Sequence, residues 1–306
     1  MSILPADEVL SRTVAALRGA GCVFAEEEAA LLLDAAATPV ELDALVHRRV
    51  AGEPLEVILG WAEFCGLRIR VTAGVFVPRQ RTRFLVDLAA QSARPGSVVV
   101  DLCCGTGAIG AAVAARVPGI ELSCADIDPN AVGCARLNVG LDAHVYEGDL
   151  YDALPASLRG RVDVLTVNAP YVPTDEIAMM PPEARDHEPR HTLDGGADGV
   201  EVHRRVAAGA RAWLAPGGSL LIETSEEQAP LTARAMADHG LVPRVSTDDD
   251  MYCTVVTGTR TADDRPVPPD PHGPGRAAGP GRVAGPGRVA GPGRVAGPGR
   301  VAGQDG

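Results

Sequence analysis

From about residue 82 onward, short apolar runs alternate with segments in which apolar residues recur at helical spacing. The runs predict strands at 97–101, 120–125, 143–146, 162–167, 218–223, 242–246 and 252–258. The segments between them predict helices at 82–92, 107–115, 129–139, 198–213 and 226–238. Strands that alternate with helices imply right-handed βαβ crossovers, and so an α/β domain on a mostly parallel seven-stranded sheet. The last two runs follow one another too closely for a crossover, which makes one edge antiparallel.

The rest of the chain is patterned differently. Residues 5–50 read as helices: Pro5 and the acids Asp7 and Glu8 suit a first turn, Ala25-Glu26-Glu27-Glu28 starts a second helix, and Pro39 starts a third. Residues 64–71 alternate in part, Thr72-Ala73-Gly74 is a turn signal, and Val75-Phe76-Val77 runs up to Pro78. That stretch predicts a β-hairpin with its turn at 72–74. Beyond residue 260 comes a six-residue Gly-Pro-Gly-Arg-(Val/Ala)-Ala repeat, in five copies from Gly273 to Ala302. Such a composition builds neither helix nor core and predicts a disordered tail. The divisions are a helical cap (1–62), a hairpin linker (63–81), the α/β domain (82–260) and the tail (261–306).

Charge and cysteine usage narrow the function classes. The net charge of −12 argues against stable nucleic-acid binding, which would need a local basic patch. Seven cysteines, irregularly spaced and without a CxxC, argue against a disulfide framework or zinc site and predict a cytoplasmic protein. The first residues lack a basic n-region, and no apolar run approaches the roughly 18 residues of a membrane span. His187, Glu188 and His191 sit in a proline-rich loop without metal-ligand spacing, so no metal is expected.

Two strand ends carry chemistry. The first, Val98-Val99-Val100-Asp101-Leu102-Cys103-Cys104-Gly105-Thr106-Gly107, passes from an apolar run into a glycine turn and a helix. Glycines admit close backbone approach, and the helix N-terminus offers free N–H groups to a ligand. Nineteen residues past Gly107, Asp126 ends the next strand, where a carboxylate holds a ribose diol; Ile127 follows it. The spacing Asp-x-x-x-Gly-x-Gly differs from the dinucleotide fingerprint and disfavours hydride transfer. Asp149, before Leu150, ends the third strand and can accept from an adenine amino group, or be an ordinary turn residue. The second, Asn168-Ala169-Pro170-Tyr171, follows strand 162–167. A carboxamide oxygen there can accept from a substrate NH₂, a neighbouring carbonyl can take the other hydrogen, and Tyr171 can lie flat on a planar group. Orientation of this kind is what a weakly nucleophilic amide or aromatic amine needs.

Together these residues resemble the class I S-adenosylmethionine-dependent methyltransferases, and more narrowly the HemK-like protein-(glutamine-N5) methyltransferases. Gly52-Glu53-Pro54-Leu55, Glu63-Phe64-Cys65-Gly66-Leu67, Val77-Pro78-Arg79 with Thr82, and Leu193-Asp194-Gly195-Gly196 extend the likeness from the cap to about residue 260. The resemblance implies a Rossmann-like catalytic domain behind a helical substrate-recognition cap. It also implies S-adenosylmethionine held by Asp101, Cys103, Gly105, Thr106, Gly107, Asp126, Ile127, Asp149, Leu150 and Asn168. The substrate, a glutamine amide of a protein such as a peptide chain release factor, would meet Asn168, Ala169, Pro170, Tyr171, Pro78 and Arg79, with Asn168, Pro170 and Tyr171 catalytic.

The chain departs from that pattern at Ala169, where the family has a first proline, and at Cys103, where it has a glycine. Arg81 and Arg83 replace acidic residues, a charge reversal expected in a substrate-facing linker, and Glu223-Thr224-Ser225 replaces Glu-His-Gly. Two other readings share the fold. An amino methyltransferase acting on nucleic acid has the same Asn-Pro-type motif, and a catalytically weak binding protein would tolerate Ala169.

Overall fold

The computed structural model describes residues 6–262. Residues 1–5 and nearly all of the repeat tail lie outside that range.

Four helices form the N-terminal part: α1 (Ala6–Gly19), α2 (Ala25–Ala35), α3 (Pro39–Val50) and α4 (Leu55–Leu59). Leu17, Ala25, Ala29, Leu32, Leu42 and Ile58 close a small core among them. The start of α3 is fixed locally. Thr38 accepts from the Glu41 N–H, the Glu41 carboxylate accepts from the Ala37 N–H, and Pro39 presets the first helical φ. The short helix α4 has no long apolar repeat to announce it, and it ends at Gly60 in a left-handed conformation.

The hairpin forms, but not where the pattern put it. Strands β1 (Trp61–Phe64) and β2 (Leu67–Arg70) pair antiparallel, and the turn is Cys65-Gly66 rather than 72–74. Both turn residues have positive φ, 54° and 80°, as a two-residue turn of this hand requires. Val75 and Val77 are buried like strand residues yet join no ladder; burial alone produced the alternation.

The main sheet contains β3 (Val98–Leu102), β4 (Glu121–Asp126), β5 (His144–Glu147), β6 (Val162–Val167), β7 (Leu214–Thr224), β8 (Val242–Asp248) and β9 (Cys253–Thr259). Its order is β5-β4-β3-β6-β7-β9-β8, parallel from β5 to β7 and antiparallel around β9. Helices α5 (Arg83–Ser92), α6 (Ala108–Arg116), α7 (Pro129–Asn138), α9 (Glu201–Trp213) and α10 (Ala229–Asp238) cover it, and a short α8 (Pro182–His187) lies in the long β6–α9 connection. Strand periodicity divides the core in two. Val100, Leu102, Leu165 and Ile222 pack with Val206, Trp213 and Met236, whereas Val99, Val164 and Leu221 pack with Leu85, Ile109 and Val113. Burial on both faces is why these strands read as unbroken apolar runs.

Strand β7 begins four residues before its predicted start, because Leu214 pairs with Val162 ahead of a register shift. Chain order turns back between β3 and β6, and such a switch point opens a crevice beyond the strand ends. Among the described residues no helix is long and apolar enough to cross a membrane.

Candidate active site

A cavity of about 240 Å³ lies at that switch point. Of the residues singled out from the sequence, it brings together Pro78, Arg79, Cys103, Gly105, Thr106, Asp126, Ile127, Asp149, Leu150, Asn168, Ala169, Pro170 and Tyr171. Asp101 and Gly107 are not on its wall.

Those two residues shape the site from behind. Gly107 has φ of 74°, and a Cβ there would come within 3.1 Å of the Ala135 and Val139 side chains, so this glycine permits α6 to pack on α7. Asp101 is fully buried. Its carboxylate accepts from the Thr166 hydroxyl at 3.0 Å and from the Gly110 N–H at 3.1 Å. Burial pushes its pKa up to about 7, against the pull of those two donors. Between the ordinary carboxylate range near 4 and about 7, the native state therefore holds a proton that the unfolded chain has lost. Stability from this group falls as pH rises through that window. Asp101→Asn keeps the shape and removes the titration. Its stability relative to the parent should be higher at pH 8 than at pH 5 by about 1–3 kcal/mol, measured by urea unfolding at both values.

Asp126 joins two loops. One carboxylate oxygen accepts from the Gly105 N–H at 2.8 Å and the other from the Asp128 N–H at 2.9 Å. Burial raises its pKa, with the two N–H donors opposing. The Gly105 loop is thus cross-linked to the end of β4, and Cys103 is held there at a φ of 55° that side chains seldom adopt. Asp149 accepts from Arg205 at 2.6 Å, and both line the cavity. Arg205, on α9, carried no sequence signal.

Asn168 and Tyr171 stand at the end of β6. The Asn168 amide nitrogen donates to the Thr82 hydroxyl at 3.4 Å, which leaves its carbonyl oxygen as an acceptor for a ligand. Tyr171 accepts at its hydroxyl from Arg81 at 2.7 Å, and Arg81 also faces Glu223 at 3.4 Å. The linker cation is thus turned onto the protein, not only toward a substrate. Burial and the nearby Glu223 push the Tyr171 phenol up to about 12, so it is neutral near pH 7. Glu223 is buried, which raises its pKa, while Thr82, Arg81 and Tyr171 oppose that rise. Its position at the end of β7 repeats the strand-end acids Asp101 and Asp126.

The turns before α9 and α10 fix the backbone of the motif. Gln228 donates to the Tyr171 carbonyl at 2.7 Å. A Cβ at Gly199 would lie 2.3 Å from that same carbonyl, and one at Gly195 would lie 2.7 Å from the Tyr171 Cα. Only glycines allow this approach. Arg79 is paired with Glu188 and lies over the Phe76 ring, so it braces the rim. His191 lines the cavity from the same connection, 3.5 Å from Asp128.

Residues 66–180 match the family model for the methyltransferase small domain. Release factor glutamine methyltransferase from Geobacter sulfurreducens is 38% identical over 197 residues, which covers 62% of this chain and 68% of the relative. The one from Mycolicibacterium smegmatis is 37% identical over 224 residues, covering 71% and 79%, and that from Streptomyces coelicolor is 39% identical over 189 residues, covering 60% and 67%. On this similarity, the chain belongs to the release factor glutamine methyltransferase family of S-adenosylmethionine-dependent methyltransferases.

Proposed function

We propose that the protein methylates the side-chain nitrogen of a glutamine in a peptide chain release factor. The observation that carries this reading is the Asn168 amide. Its nitrogen donates to Thr82, which leaves its oxygen to accept from a substrate NH₂, and the residue lines the same cavity as the cofactor loops.

The residues fit S-adenosylmethionine. Asp126 offers a carboxylate to a diol, Gly105 gives backbone access, and Ile127 and Leu150 supply apolar walls. When bound, that molecule supplies the electrophilic methyl group. What the chain adds is orientation. Asn168 holds the amide nitrogen, Tyr171 and Pro170 shape the space beside it, and Asp149 with Arg205 forms a polar end for the base. Neither ionisable group next to the Asn168 turn acts as a strong base: Tyr171 stays neutral, and Glu223 is buried against Arg81. A site of this kind works by fixing a weak nucleophile in line with the electrophile.

We assign release factor recognition to the helices α1–α4 and the hairpin that follows them. Cys65, Cys103, Cys104, Cys124, Cys134 and Cys253 are thiols, which fits a reducing cytoplasm.

The test is methyl transfer from labelled S-adenosylmethionine to a purified release factor of the same organism, with the product mapped by mass spectrometry. Label on the glutamine of the factor's Gly-Gly-Gln segment is expected. Retained cofactor binding with no label on the factor would overturn the substrate assignment.

A further inference from the structure

Arg81 occupies a place that the proposed chemistry does not yet explain. It sits in a 3₁₀ helix of one turn, Gln80–Thr82, between the hairpin and α5. Its side chain is 45% exposed and lines the cavity. The guanidinium meets two elements that are distant in sequence: Nη2 donates to the Tyr171 hydroxyl at 2.7 Å, and Nε faces Glu223 Oε1 at 3.4 Å. Glu223 is 2% exposed and sits near the end of β7, which is paired on both sides, with β6 and β9. One end of the contact is therefore anchored, and the other holds an aromatic ring on the turn that follows Asn168.

That turn needs a tie. Ala169 leaves φ unrestricted where a proline ring would lock it. Gln228 fixes the Tyr171 backbone, while the direction of its ring is set at the hydroxyl, which meets Arg81 and also reaches the buried Glu223. Arg81 presents a planar, permanently charged fork that can hold two acceptors at once, which a lysine ammonium cannot do with the same geometry.

We propose that Arg81 is a positioning residue: held by Glu223, it clamps the Tyr171 phenol and so sets the aromatic face beside Asn168 against which the substrate amide lies. This inference rests on the glutamine-methylation reading above. It takes Arg81 out of the set of residues that merely carry surface charge and makes it part of the reaction's alignment.

The experiment compares Arg81→Met, Arg81→Lys, Tyr171→Phe and the Arg81→Met/Tyr171→Phe double variant in the full-length chain. Tyr171→Phe leaves the Arg81–Glu223 pair intact and removes only the phenol oxygen. Arg81→Met and Tyr171→Phe should each lower kcat about tenfold, with the Kd for S-adenosylmethionine unchanged. The double variant should be no slower than Arg81→Met. Arg81→Lys should recover the urea midpoint only in part, because it keeps a cation near Glu223 but not both contacts, and it should not recover kcat. Parental kcat in Tyr171→Phe, or losses that multiply in the double variant, would overturn the clamp. The urea midpoints of the parent, Arg81→Met, Tyr171→Phe and the double variant read the contact without any substrate. If the parent labels no release factor while those midpoints are non-additive, the clamp stands and the substrate reading fails. If the midpoints are additive, the clamp itself fails.

Discussion

Asn168→Ala should lower kcat by about 10²–10³-fold while the Kd for S-adenosylmethionine stays within about threefold. Truncation removes the acceptor that directs the substrate nitrogen, and it also leaves the Thr82 hydroxyl without its amide partner. An amide nitrogen is a poor nucleophile, so the lost term is alignment, and misplacement by about 1 Å is enough to cost on the order of 10²-fold. Because the lost contact is made to the reacting group, the effect belongs in kcat more than in cofactor affinity. Asn168→Asp offers a sharper comparison. It keeps an oxygen in place but cannot donate to Thr82, and it adds charge to a half-buried position. Its activity should stay at least about tenfold below the parent. Steady-state kinetics with the release factor, cofactor titration by calorimetry and a thermal melt of each variant separate these effects. Near-normal turnover in Asn168→Ala would remove the central support for the amide-orienting role.

Much of this arrangement is legible in the sequence because strand ends are punctuated sharply. Apolar runs buried on both faces stop near Asp101, Asp126 and Val167, and each gives way to a polar or glycine-rich turn. The sheet and the loops that line the cavity can be read from that punctuation. The roles of individual residues are harder to read. Asp101 and Gly107 carry the same motif signal as Gly105, yet one is buried behind the loop and the other serves helix packing. A linear motif records that a residue is needed, not which side of the backbone it serves. Arg81, Thr82, Glu223, Arg205 and Gln228 act through contacts spanning 56 to 142 residues of sequence, for which no local periodicity exists. The misplaced hairpin turn has the same origin. Thr72-Ala73-Gly74 has the composition of a turn, whereas Cys65-Gly66 has the conformation, and a cysteine at positive φ announces nothing in sequence.

Asp126→Ala should weaken S-adenosylmethionine binding by about 100-fold or more, the equivalent of roughly 2.7 kcal/mol. Hydrogen bonds to charged groups contribute about 1.5–3 kcal/mol each, and this carboxylate makes two of them to backbone N–H groups while also facing the cavity. Its loss therefore removes a ligand for the diol and releases the Gly105 loop from the end of β4. Asp126→Asn should not rescue binding, because an amide turns one donor toward N–H groups that are themselves donors. A pH series adds an independent check. Burial raises the Asp126 pKa, so its protonation on acidification begins earlier than for an ordinary exposed carboxylate. Affinity in the parent should fall as pH drops through that point, since the neutral acid is the poorer acceptor. In Asp126→Ala that acid limb should be absent. Cofactor affinity that is equal in parent and variant, or an acid limb that persists without Asp126, would place the diol elsewhere in the cavity.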